Sequence, residues 1–264
     1  MTIEVDDRPV QVYLPTSRPS GATTALVVVL HGYTADAAGV VEYLGLHPLA
    51  DQRGFVIAAP QGTTDSQGNT FWNASRACCN FEGSEVDDSG FLSRVIATVV
   101  ATQGIDPARV YVVGHSNGAF MAHTFACEHA DQVAAIASLA GAMDADAACD
   151  PTQPVSVLQV HGDADDTILY DGGRITARPY TSAATTVARW RSADGCSGDA
   201  LPGPRLDADA TAAGDDLSPT TWTHCRGGAE VALWTIVGGG HVPALTSAFT
   251  AALLDWFDAH HRAG

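Results

Sequence analysis

Three stretches of this chain are almost continuously apolar over the length of a strand: "ALVVVL" at Ala25–Leu30, "RVYVVG" at Arg109–Gly114 and "PVSVLQVHG" at Pro154–Gly162. A half-exposed strand alternates apolar and polar residues. An unbroken apolar run suits a strand covered on both faces, as in a parallel sheet lying under helices. Further strands are expected at Thr2–Val5, Gln11–Leu14, Phe55–Ala59, Ala134–Leu139 and Val231–Val237, with the central runs trimmed to Val110–Val113 and Val155–His161. Helical patterns fall between them at Ala38–Arg53, Asp88–Gln103, Asn117–Glu128, Thr181–Ala193 and Ala244–His260. Strand alternating with helix predicts an α/β class: a doubly wound, mostly parallel sheet of about eight strands, helices on both faces, the first two strands forming an antiparallel edge. No repeat, low-complexity block or linker divides residues 1–264, so a single domain is expected. Gln61–Val86 and Ala200–Pro219 fit neither pattern and are expected to be irregular excursions, the first shaping the surface over the sheet's carboxyl edge.

Charge narrows the partners. The net charge is −17 and every one of the 13 positive residues is arginine. Such a chain lacks the basic footprint for nucleic acid and is repelled by anionic lipid. No apolar run approaches the roughly 18 residues of a membrane span, so no membrane insertion is expected. The opening "MTIEVDDRPVQVYLP" alternates like an edge strand and does not read as a signal peptide, yet six cysteines suggest an oxidising compartment. The expectation is therefore an extracellular protein whose export signal has been removed, acting as a monomer. The spacings of Cys78, Cys79, Cys127 and Cys149 match no zinc pattern, so neither a metal nor a cofactor is expected, and their pairing is left open.

The chemistry concentrates where strands end. "YVVGHSNGAF" ends a strand in Gly114-His115-Ser116-Asn117-Gly118, a G-x-S-x-G pattern with helix-forming sequence after it. In that context the serine sits on a sharp turn with its hydroxyl exposed, and the glycines admit close backbone approach. A serine nucleophile needs a base and a group that orients the base, in the order Ser, Asp, His for this arrangement. Asp163, Asp165 and Asp166 in "HGDADD" compete for the acid. His241 in "TIVGGGHVP" follows the last strand in a glycine loop and is the candidate base, while His31, His115 and His161 read as packing at strand ends. "LHGYTAD" supplies an early strand end, so the backbone N–H groups of Tyr33 and Asn117 are the candidate oxyanion donors. Asp87 or Asp88 in "VDDSGFL" most simply caps a helix starting near Gly90, the alternative being a carboxylate at the site's rim. Phe71, Trp72, Tyr170 and Trp222 are candidates to line a shallow apolar substrate cleft.

From about Ala25 to Phe257 the chain resembles the α/β-hydrolase esterase group of poly(3-hydroxybutyrate) depolymerases and feruloyl or acetylxylan esterases. The resemblance rests on "LHGYTADA", "VDDSGFL", "GHSNGAFMA", "HGDADDTILYDGG", Gly195-Cys196 and "GGGHVP". It implies a serine esterase with Ser116, Asp165 and His241 as its triad. It is the resemblance that selects Asp165 among the three acids, and it pairs Cys196 with Cys225. It also implies a polymeric or oligomeric ester as substrate: a polyester of hydroxyalkanoate type or, alternatively, feruloyl or acetyl groups on plant polysaccharide. The family's usual "GGGHxWPG" is here "GGGHVPAL", which lacks the Trp. A serine peptidase of the same fold would share the triad but usually carries a gating domain, for which no segment is long enough. A non-catalytic binding relative would be expected to have lost a triad member.

Overall fold

In the computed structural model, which describes residues 1–18 and 23–262, ten strands form one sheet. In chain order they are β1 (Thr2–Val5), β2 (Arg8–Tyr13), β3 (Thr24–Leu30), β4 (Val56–Pro60), β5 (Ile105–His115), β6 (Ala135–Leu139), β7 (Ser156–Gly162), β8 (Ala200–Pro202), β9 (Leu217–Trp222) and β10 (Val231–Ile236). The helices are α1 (Ala37–Tyr43), α2 (Leu46–Arg53), α3 (Asp88–Gln103), α4 (Asn117–Glu128), α5 (Ala183–Ala193) and α6 (Ser247–Asp258). Across the sheet the order is β1-β2-β4-β3-β5-β6-β7-β10-β9-β8. The six central strands, β4 to β10 in that order, run parallel. The pairs β1–β2, β2–β4, β10–β9 and β9–β8 are antiparallel and close both flanks.

The unbroken apolar runs have a direct structural reason. Every residue of β3, β4, β6 and β7 is buried. Alternate side chains of β3 enter two separate cores: Leu26, Val28 and Leu30 pack with Phe91, Val95, Phe120 and Phe125 of α3 and α4, while Val27 and Val29 pack with Val40, Phe249, Leu253 and Phe257 of α1 and α6. The apolar demand on both faces removes the period-2 signal.

Several boundaries differ from those expected. The helix expected over Ala38–Arg53 is two helices, because Gly45 takes a left-handed φ of 60° and turns the chain between α1 and α2. The sheet is wider than the expected eight strands because β8 and β9 carry it through the expected excursion Ala200–Pro219. That stretch is rich in Asp, Ala, Gly and Pro, and β9 buries only Leu217 and Pro219, which left little pattern to read. Gln61–Val86 is irregular apart from a short hairpin, Thr63–Thr64 with Thr70–Phe71. Asp87 caps α3, accepting from the Gly90 amide at 2.8 Å, whereas the neighbouring Asp88 is buried and does different work described below.

Three disulfides join the six cysteines: Cys78–Cys79, Cys127–Cys149 and the pair implied by the family resemblance, Cys196–Cys225. Among the described residues no helix is long and apolar enough to cross a membrane.

Candidate active site

The carboxyl ends of β3, β5, β7 and β10 meet above the sheet. Ser116 leaves β5 with φ 53° and ψ −119° and begins α4. Only glycine fits on either side: a Cβ on Gly114 would lie 2.1 Å from the Gly118 carbonyl oxygen, and one on Gly118 would lie 2.2 Å from that of Leu30. The close approach fixes the turn and leaves the Ser116 hydroxyl facing the loop after β10. There His241 Nε2 lies 3.0 Å from Ser116 Oγ, and His241 Nδ1 lies 2.8 Å from Asp165 Oδ2. Ser116, His241 and Asp165 thus form one hydrogen-bonded series.

Geometry separates the three competing acids. Asp165 is buried, and its Oδ1 accepts the amides of Thr167 and Ile168, both at 2.9 Å. Asp163 instead accepts the Gly238 amide at 2.5 Å, and Asp166 is exposed with its carboxylate near the Thr167 hydroxyl. The loops carrying Asp165 and His241 are zipped together along their backbones: Asp163 N–H to Ile236 O at 3.1 Å and Ala164 N–H to Gly239 O at 3.0 Å. Gly162 makes the zipper tight, since a Cβ there would sit 2.1 Å from the Gly239 carbonyl oxygen.

A second histidine, His161, expected to pack at a strand end, reaches the same carboxylate. His161 Nε2 lies 2.7 Å from Ile168 O and 3.3 Å from Asp165 Oδ2, while its Nδ1 faces Gln159 Nε2 at 3.3 Å. Gln159 Oε1 meets His123 Nε2 at 3.0 Å, and His123 Nδ1 accepts from Trp190 Nε1 at 3.0 Å. Because Trp is only a donor, this chain of buried groups reads in one direction, from Trp190 to Asp165, and fixes each tautomer. Burial pushes the Asp165 carboxyl up, but hydrogen bonds from His161, His241 and the Thr167 amide outweigh it and hold the group well below the usual carboxylate range. Burial holds His123 down at about 4, so it stays neutral at physiological pH. His115, also lowered by burial to about 4, meets the His241 carbonyl through Nε2 at 2.9 Å and braces the loop from below.

His31 positions the early strand end. Its Nδ1 lies 2.8 Å from Gly32 O, and its Nε2 accepts the Gly62 amide at 2.9 Å. The Gly32 carbonyl also accepts from Ala35 N–H at 3.2 Å. In a planar trans peptide, the Tyr33 N–H therefore points the opposite way. Gly32, the residue before Tyr33, lies against the nucleophile turn: a Cβ placed on it would be 3.3 Å from Ser116 Cβ.

Beside Ser116 lies a cleft of about 350 Å³, walled by Tyr33, Val40, Tyr43, His115, His241 and Val242. Its size is within the range of small-ligand sites. Trp72 is not in it. The indole is fully buried, donating to His31 O at 3.0 Å, and the Trp72 amide and carbonyl are clamped by the Asn117 side chain at 2.7 and 3.1 Å. Trp222 pairs with Val231 at the start of β10, five residues and about 17 Å from that strand's carboxyl end, and packs against Arg191 at 4.8 Å. Tyr170 is turned away, its hydroxyl 2.8 Å from that of Thr235 and its ring edge-on to His161. Phe71 is buried as well. These aromatics are corrected to core, flank and brace. Two residues that do wall the cleft, Val40 and Tyr43, lie on α1, within the helix expected over Ala38–Arg53.

The model of a family described as esterase PHB depolymerase matches residues 10–191. The chain belongs to this esterase family. A putative esterase, NocK of Nocardia uniformis subsp. tsuyamanensis, is 30% identical over 240 residues, covering 86% of this chain and 66% of that protein. Feruloyl esterase B of Piromyces equi is 28% identical over 197 residues, covering 71% and 34%. Poly(3-hydroxyalkanoate) depolymerase C of Paucimonas lemoignei is 32% identical over 133 residues, covering 49% and 30%. This family member therefore spans from about a third to just under two thirds of the length of these relatives. In fold, it is similar to an acetyl xylan esterase from Aspergillus awamori, with a TM-score of 0.67 and 17% identity over 95% of this chain and 93% of that one.

Proposed function

We propose that this chain is a secreted serine carboxylic-ester hydrolase that acts on polymeric or oligomeric esters, first among them a polyester of hydroxyalkanoate type. The observation that carries the reading is the unbroken series Ser116 Oγ, His241 and Asp165 at 3.0 and 2.8 Å, opening into the cleft. In this reading Ser116 Oγ attacks the ester carbonyl and His241 Nε2 takes its proton. The Tyr33 and Asn117 amides then donate to the oxyanion. Neither of them hydrogen-bonds a protein carbonyl among the described residues. Collapse of the tetrahedral intermediate breaks the ester C–O bond, and His241 returns the proton to the leaving alcohol. Water then attacks the acyl-serine with His241 again as base, releasing the acid. Asp165 keeps Nδ1 protonated throughout and stabilises the imidazolium that forms.

A polymer is favoured because the rim is open: Ala35, Gly39 and Val242 are exposed, so a chain can lie across the cleft. The three disulfides support secretion. Relatives named feruloyl esterase and the likeness to an acetyl xylan esterase favour a second reading, ester groups on plant polysaccharide.

Clearing of an amorphous poly(3-hydroxybutyrate) suspension, scaled to hydrolysis of a short p-nitrophenyl ester, tests the proposal. Wild type is expected to clear it and Ser116→Ala to be slower by about 10⁴-fold or more on both substrates. Cleavage of the small ester with a suspension that stays turbid would move the substrate to the polysaccharide esters. An unchanged Ser116→Ala rate would remove the triad.

A further inference from the structure

A second cleft, of about 400 Å³, adjoins the first. The two share a wall, because Tyr33 lines the Ser116 cleft and its ring meets Phe81 of the second edge-on at 5.3 Å. Cys78 of the second cleft also lies close to the turn that carries Ser116: its Sγ accepts from Asn117 Nδ2 at 3.7 Å, one residue from Ser116. A substrate chain leaving Ser116 over Tyr33 and the half-exposed Phe81 ring therefore runs into it.

Its charge is opposite to that of the molecule. Net charge is −17 with thirty acidic residues, yet none of the described acids lines this cleft, whereas Arg76 and Arg178 do. Most of the chain's arginines are engaged by carboxylates or backbone carbonyls. The Arg178 guanidinium has no hydrogen bond or ion pair among the described residues, and the residue is exposed. Arg76 is 59% exposed, and its nearest carboxylate, Asp144, is 3.8 Å away. The amides beside them are occupied in holding the loop: Asn80 Nδ2 donates to Asn73 Oδ1 at 3.0 Å and to Ser84 O at 2.6 Å, while Asn73 Nδ2 donates to Val86 O at 2.9 Å. The two guanidinium groups are thus the donors left for a ligand, and their planar forks match a carboxylate.

We propose that this cleft is a subsite for a carboxylate carried by the substrate, a proposal that rests on the esterase reading of Ser116. Two sources supply that group: the free terminal carboxylate of a hydroxyacid oligoester, which each hydrolytic cut regenerates, or a uronate on an acylated polysaccharide. In a chain this acidic the rest of the surface repels either one, so the unpaired Arg178 and the loosely paired Arg76 fix where the charged end sits and which way the chain runs from it.

The test compares kcat/KM for 3-hydroxybutyrate oligomers with a free or a methyl-esterified carboxyl end. A second arm compares acetylated xylo-oligosaccharides with and without a uronate. Each is measured on wild type and on the Arg76→Gln/Arg178→Gln double variant, with p-nitrophenyl acetate as a substrate too short to reach the cleft. Wild type is expected to favour the charged member of a pair by about five-fold at low salt. The preference is expected to fade at high salt and in the double variant, with p-nitrophenyl acetate turnover unchanged. Preference in the first arm alone identifies the terminal carboxylate, and in the second alone the uronate. Equal rates within both pairs, or a preference the double variant retains, would overturn the subsite. Loss of p-nitrophenyl acetate turnover in wild type would instead overturn the esterase reading. Binding of the two 3-hydroxybutyrate oligomers to the Ser116→Ala chain reads the subsite without turnover: tighter binding of the free acid supports it, and equal binding overturns it.

Discussion

The loops that bring Asp165 and His241 to Ser116 and the excursion Gln61–Val86 both border the site, but they are held by different means. The first pair is joined backbone to backbone, through Asp163, Ala164, Ile236 and Gly239, with glycine at the contact. Apart from backbone bonds of Thr70 O with Thr34 and of Gln61 N–H with Pro9, the excursion is held by side chains reaching into it: Asn117 clamps Trp72, while Asp88 accepts the Asn73 amide at 2.7 Å and pairs with Arg8 at 2.7 Å. Backbone contacts without side chains leave no slack, which suits atoms that must stay within hydrogen-bond distance. Side-chain anchors hold a loop in place while leaving its outward face free to carry specificity.

The contrast is breakable at three points. Gly162→Ala puts a methyl group against the Gly239 carbonyl and must push the two loops apart. A displacement near 1 Å should lower kcat about 100-fold on short and long esters alike, measurable with a p-nitrophenyl ester series. His161→Leu removes one donor to Asp165 and spares the zipper, so kcat should fall by about ten-fold with KM little changed. The Asp165 carboxyl, which the His161 hydrogen bond helps to hold below the usual carboxylate range, should titrate at higher pH in the variant, followed by NMR. An Asp165 titration that stays in place would reduce His161 to packing. Asp88→Asn breaks the buried pair that anchors the excursion. Stability to urea should drop by about 3 kcal/mol, with kcat on a short ester within a few-fold of wild type. Loss of short-ester turnover comparable to that of Gly162→Ala would erase the distinction between the two regions.

The same division decides what could be read from sequence. Gly114 and Gly118 stand where backbones nearly touch, a need no other residue meets, so the turn that presents Ser116 was legible. The parallel sheet was legible too, because β3 and β7 bury both faces. The choice of Asp165 over Asp163 was not, since both carboxylates accept hydrogen bonds in the same loop and only their direction differs. Nor was the cleft wall. Val40 and Tyr43 sit on a seven-residue helix whose end is set by the positive φ of Gly45, and in sequence α1 runs into α2. The aromatic candidates failed for a shared reason: Trp72 and Trp222 are large apolar residues, and composition alone does not say that one is clamped inside and the other stands at the far end of the sheet.

The positive φ of Ser116 has an energetic consequence. A side chain at φ 53° and ψ −119° occupies backbone space that nearly every residue but glycine avoids, at a cost of about 1–3 kcal/mol. Against the 5–15 kcal/mol that typically separates folded from unfolded domains, that is a sizeable share concentrated in one residue. The contacts of Gly114, Gly118 and the Ser116 amide with Leu139 O at 2.9 Å must hold the turn against it. Under the proposed esterase function, stability and reactivity are therefore opposed at a single position, and the chain gives up some of the former where its hydroxyl has to be reachable.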